Sequence, residues 1–174
     1  TFRIPTLIHT RPANSKWLNE ISHRHPPWIH PCDPEKPGIE ENGLARMQFN
    51  RPEKHNALDL PMFEALAGAQ RRLARIRGLR AVVLSGAGVD FCTGLDVKSA
   101  MHDRRGMLRL LWKWLPWQAN LAQRVGIGWR SLPAPVIAAI HGRCWGGGLQ
   151  IALGADFRFS APDASLAVME SKWG

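Results

Sequence analysis

Residues 134–174, APVIAAIHGRCWGGGLQIALGADFRFSAPDASLAVMESKWG, decide how this chain is read. Pro133 and Pro135 end whatever precedes them, and Val136 to Ile140 is an unbroken apolar run, the pattern of a strand covered on both faces. Gly142 to Gly148 then turn the chain into a helix expected over Leu149 to Gly154. A further strand, Asp156 to Ser160, leads to Ala167-Val168-Met169. Strand, glycine turn, helix and strand in that order predict an α/β architecture with right-handed crossovers and a parallel sheet.

Upstream, a second buried strand, Ala81 to Leu84, is closed by Ser85-Gly86 and followed by GAGVDFCTGLDV, residues 86–97. Before it, a helix opens near Leu60-Pro61, with Met62, Leu66, Ala69, Leu73 and Ile76 at helical spacing. Its other side carries Arg71, Arg72, Arg75, Arg77 and Arg80. The turn-rich loop NRPEKHNALD, residues 50–59, precedes that helix, and Ile39 to Phe49 reads as a strand pair around Asn42-Gly43. Lys98 to Arg130 reads as mostly helical, broken at Pro116.

The composition agrees with one folded domain. At 174 residues, 45% hydrophobic and 21% charged, the chain is long enough to bury roughly 70% of its unfolded surface. Residues 1–38 hold seven of the thirteen prolines and four of the seven histidines, so they read as a Pro/His-rich, disordered extension ahead of a domain over 39–174. The net charge of +9 suggests an anionic partner, and residues 39–174 own seven of those charges. Cys32, Cys92 and Cys144 form no CxxC pair, which disfavours a zinc knuckle or disulfide framework and suits a reducing compartment. No apolar run approaches the roughly 20 residues needed to span a bilayer.

Chemistry is expected at the two glycine turns, because open α/β sheets bind ligands outside the carboxyl ends of their strands. Neither Gly86-Ala87-Gly88 nor Gly146-Gly147-Gly148 has dinucleotide or P-loop spacing. Each offers free backbone N–H groups at a helix start, where the dipole favours negative charge. Two such donors converging from separate turns make an oxyanion hole, and Glu170, beyond the last strand, supplies a carboxylate.

The segments NRPEKHNAL, GAGVDFCTGLDV and residues 134–174 resemble, in order and spacing, the crotonase superfamily of enoyl-CoA hydratases, enoyl-CoA isomerases and related acyl-CoA enzymes. The resemblance covers roughly residues 43–174 and implies a crotonase-like ββα spiral core, with the C-terminal helical part absent from this chain. On that resemblance Thr1 and Gly174 read as cut points. It implies that Leu95 and Gly147 donate the two N–H groups to a thioester oxygen and that Glu170 is the base. It places CoA against Lys54, His55 and Ala57, and against Leu95, Asp96, Val97 and Lys98. The substrate is then a CoA thioester, with no prosthetic group and no metal.

Hydratases of this family carry two glutamates, and the first position here is Gln150. An amide exchanges no proton near neutral pH but can orient a water, so the departure favours a double-bond shift over hydration. Trp112, Trp114 and Trp117 fall where the family builds its acyl pocket. Cys92 and Cys144 read as small buried fillers. The family further implies a homotrimer or hexamer, with a cytoplasmic location in a bacterium and a mitochondrial or peroxisomal one in a eukaryote. The arginine face raises an RNA-binding alternative, and an inactive fragment is another; membrane association is not expected.

Overall fold

The structure, a computed structural model, describes residues 29–30, 42–102 and 119–169. Ile29–His30 form a short strand, β1, and Leu44–Phe49 form β2. A 3-10 turn over Pro52–Lys54 leads to helix α1, Leu60–Leu73. Strand β3, Ala81–Gly86, is followed by α2, Val97–His102, and α3, Leu121–Ile127. Then come β4, Val136–Ile140, β5, Arg143–Trp145, α4, Gly147–Gly154, β6, Phe157–Ser160, and β7, Ser165–Ala167.

The main sheet has the order β1-β2-β3-β4-β6. Only β1 runs antiparallel to its neighbour; β2, β3, β4 and β6 are parallel, with Leu44 opposite Ala81, Val82 opposite Val136 and Ile137 opposite Phe157. β5 and β7 form a separate parallel pair. The parallel α/β expectation holds.

Side-chain period explains the layers. In β2 the odd positions Ala45, Met47 and Phe49 are buried while Arg46 and Gln48 are exposed. Val82, Leu84, Val136 and Ala138 continue the same buried face. The expectation that these strands are covered on both faces is met only in part: Val83, Ile137 and Ala139 on the other face are half-buried, and β6 is exposed along its length. Against the buried face lies α1, whose Met62, Phe63, Leu66, Ala69 and Leu73 enter the core. Arg71, Arg72, Arg75, Arg77 and Arg80 face outward, as their spacing predicts. Asp59 starts that helix by accepting the Met62 N–H at 3.0 Å, a cap worth about 1 kcal/mol.

One boundary differs from the sequence reading, and two other stretches lie partly outside the described residues. Of the strand pair expected over Ile39 to Phe49, the second half is β2, whose partners among the described residues are β1 and β3; residues 39–41 lie outside the described residues. The helix placed at Leu149 starts two residues earlier, at Gly147, because the glycine triplet itself winds into the first turn. The stretch Lys98 to Arg130 contains α2 and α3, the latter running into a 3-10 turn over Gly128–Ser131, with residues 103–118 outside the described residues. Trp112, Trp114 and Trp117 are among them. Apart from β1, so is the extension over residues 1–38, and its boundary remains an expectation. Among the described residues, no helix is long and apolar enough to cross a membrane.

Candidate functional site

The loop over residues 50–58 is built around two buried polar side chains. Asn56, fully buried and in the left-handed region at φ 56°, accepts the Arg51 N–H at 2.9 Å and donates to the Ala87 and Asp90 carbonyls at 2.9 and 2.7 Å. Arg51 donates to the Ala57 carbonyl at 2.9 Å and pairs with Asp96 at 3.0 Å and Asp59 at 3.5 Å. Burial pushes the Asp96 carboxyl up, but bonds from Ser99 and Arg51 outweigh it and hold it below the usual carboxylate range. The loop is thereby stitched to the turn that follows β3.

That turn meets the loop through an isolated parallel bridge between Leu58 and Leu95. The Leu58 N–H donates to the Gly94 carbonyl at 2.7 Å, and the Leu58 carbonyl accepts the Asp96 N–H at 2.9 Å. In this pattern the Leu95 N–H points away from Leu58. Lys54, His55, Lys98 and Val97 are exposed, Ala57 and Asp96 partly buried, and all belong to these two joined segments.

The second turn packs on the first. Cys92 bridges Cys144 in parallel, with the Cys92 N–H on the Arg143 carbonyl at 3.1 Å and the Trp145 N–H on the Cys92 carbonyl at 2.9 Å. Both thiols are fully buried, and burial pushes each up to about 12, so they are inert fillers as expected. A Cβ on Gly148 would overlap the Cys92 carbonyl oxygen, so only glycine lets α4 sit this close. Gly94, at φ +89°, is the contact point: a Cβ there would lie 2.9 Å from the Trp145 oxygen and 3.2 Å from the Gly147 nitrogen.

Gly147 is the first residue of α4, so its N–H has no intrahelical acceptor. The Gly146 N–H is used by the Ala167 carbonyl at 2.9 Å, and the Gln150 N–H returns to Gly146 at 3.0 Å. Among the described residues, neither the Leu95 nor the Gly147 N–H finds a backbone acceptor. Two turns far apart in sequence thus meet at Gly94 and Gly147, with Gly147 at the positive end of a helix. Gln150 is exposed on the first turns of α4. Glu170 lies outside the described residues, three positions after β7 ends at Ala167.

Sequence reading missed one group here. Asp90, 3% exposed, accepts the Arg143 backbone N–H at 2.8 Å and its Nε–H at 2.9 Å on Oδ1. Its Oδ2 accepts Arg143 Nη2 at 2.8 Å and faces His55 Nδ1 at 2.8 Å. The signal was a charged residue set between Val89 and Phe91, but its partners are 35 and 53 positions away. The Arg143 guanidinium holds the Asp90 carboxyl at about 2, against a burial effect that opposes it.

A carboxyl lowered on folding stabilises the fold above its ordinary value of 3.8, and the contribution is lost as pH falls toward about 2. The contribution at neutral pH is about 2 kcal/mol. Urea unfolding of Asp90→Asn is therefore expected to lose part of the pH dependence that the unsubstituted protein shows between about pH 4 and about pH 2. Identical slopes for the two proteins would contradict this.

Residues 39–174 match the family described as enoyl-CoA hydratase/isomerase. The mitochondrial Delta(3,5)-Delta(2,4)-dienoyl-CoA isomerase of Rattus norvegicus is 34% identical over 132 residues, 73% of this chain and 40% of that protein. Among solved structures, an enoyl-CoA hydratase from Bacillus anthracis is similar with a TM-score of 0.63 and 29% identity, over 76% of this chain and 49% of that one. An enoyl-CoA hydratase from Mycobacterium tuberculosis is similar with a TM-score of 0.65 and 25% identity, over 86% and 52%. The chain spans 40% of the rat isomerase and about half of each solved chain. Three ordered motifs, a parallel sheet and two converging glycine turns agree with these matches, and the chain belongs to the enoyl-CoA hydratase/isomerase family.

Proposed function

We propose that the chain carries the oxyanion half of an acyl-CoA enzyme that shifts a double bond in an enoyl-CoA. The observation that supports this best is the approach of Gly94 to Gly147, with no backbone acceptor on the Leu95 or Gly147 N–H among the described residues. A thioester carbonyl placed between them gains charge on oxygen as an α-proton leaves, and each preorganised donor contributes about 10²–10³ in rate.

The reaction runs in two proton transfers. Glu170 takes a proton from C2 of a 3-enoyl thioester, giving a dienolate whose oxygen rests on the two N–H groups. The same carboxyl then returns the proton to C4, and the double bond moves to C2–C3 with no net change in atoms. Gln150 orients water or substrate and takes no part in the transfer. CoA lies along the joined segments, its phosphates near Lys54 and Lys98, with His55, Ala57, Asp96 and Val97 beside it. A homotrimer or hexamer is the proposed assembly, in the cytoplasm if the source is bacterial and in the mitochondrion or peroxisome if it is eukaryotic; the mitochondrial rat relative supports the eukaryotic case.

Incubation of the protein with 3-enoyl-CoA and 2-enoyl-CoA separately tests the assignment. Conversion of the first to the second, with little hydration of the second, is the expected result; hydration without isomerisation would overturn it. Gln150→Glu, which restores a second carboxyl, is expected to raise hydration of 2-enoyl-CoA by at least about tenfold, measured by loss of the enoyl absorbance.

A further inference from the structure

We infer that Asp90 is the positioning residue of the oxyanion site, tying the 50–58 loop, the 86–97 turn and β5 together and so fixing Leu95 N–H against Gly147 N–H. The catalytic part of this inference rests on the reading just proposed. One carboxylate reaches all three segments: Asp90 belongs to the turn, Arg143 to β5 and His55 to the loop. Asp90 stands four residues before Gly94, and Arg143 four before Gly147. His55 stands three before Leu58, whose N–H holds the Gly94 carbonyl.

The joint is rigid in a way that packing alone is not. Arg143 gives Asp90 a side-chain fork plus its own backbone N–H, which sets distance and rotation together. The Asp90 carbonyl is also engaged, accepting Asn56 Nδ2 at 2.7 Å. From Arg143 the guanidinium lies 5.4 Å from the centre of the Trp145 ring, and Trp145 is the residue whose carbonyl abuts Gly94. The Trp145 ring N–H donates to Ser165 Oγ at 3.1 Å, extending the chain of contacts to β7. Neither Asp90 nor Arg143 supplies a donor to the proposed oxyanion; they act through the backbone. Oxyanion donors must be held to within about 0.5 Å, and an ion pair that keeps its charge across the working pH range meets that requirement.

The test uses the whole protein in two variants, Asp90→Asn and Arg143→Lys, the second keeping the positive charge while losing the fork. Two readouts are taken: kcat and KM on 3-enoyl-CoA, and the amide resonances of Leu95 and Gly147 without substrate. The expected result is a fall in kcat of roughly 10–100-fold at nearly constant KM, with both amides displaced. If Asp90→Asn does not fold, Arg143→Lys decides by the same readouts. Unchanged kcat, or amides that stay in place while only the folded fraction drops, would overturn the inference. An unsubstituted protein without turnover would count against the proposed function instead, and the amide displacements would still decide the role of Asp90.

Discussion

Glu170→Gln is expected to lower turnover of 3-enoyl-CoA by about 10²–10⁴-fold, the range that a general acid–base contributes, while affinity for the CoA ester stays nearly constant. The amide matches the carboxylate in size but takes up no proton, so binding on the two backbone donors survives and transfer from C2 to C4 does not. Turnover measured under saturating substrate, with the dissociation constant measured separately, distinguishes the two quantities. Unchanged turnover would mean that another group moves the proton.

Gly94→Ala is expected to remove the oxyanion site itself. The added methyl would lie 2.9 Å from the Trp145 oxygen and 3.2 Å from the Gly147 nitrogen, so the two turns must separate. The residue also sits at φ +89°, where a side chain costs roughly 1–2 kcal/mol. Displacing one donor costs about 10²–10³ in kcat, and the strain is expected to lower Tm by roughly 2–8 °C. Gly78→Ala provides the control, since Gly78 has φ +84° and open space around it. It shares the backbone cost, so a comparable Tm change with full turnover is expected there. Equal turnover in the two variants would show that the approach of the turns is irrelevant to activity.

How much of this was legible in the chain depends on distance along it. The strands Ala81–Gly86 and Val136–Ile140 announce themselves as short apolar runs closed by glycine or flanked by proline, a strictly local signal. Helix α1 was equally plain, because Pro61 marks its start and the period of Met62, Leu66 and Leu73 its buried face. The glycine turns were visible as turns, and their pairing followed from resemblance to a family. Their contact through Gly94 and Gly147 joins residues 53 positions apart and needed coordinates.

The clamp was not legible for the same reason. Asp90 and His55 lie in two loops and Arg143 opens β5, and nothing in VDF, KHN or GRC alone says that one carboxylate serves the other two side chains. Cys92 and Cys144, read individually as buried fillers, prove to face each other across a bridge that holds the same turns together. The turn at Asn42-Gly43 and the strand from Leu44 were legible locally, but that strand's partner β3 begins 37 positions on, at Ala81, and leaves no local signal.

The claim that two backbone N–H groups receive a thioester oxygen is tested most directly by amide resonances of the whole protein titrated with two ligands. One is a saturated acyl-CoA thioester; the other is the matching thioether, in which a methylene replaces the carbonyl. Leu95 and Gly147 are expected to shift downfield with the thioester and far less with the thioether, while amides along the CoA-binding loop respond alike to both. Equal shifts at Leu95 and Gly147 with the two ligands, or none with either, would contradict it.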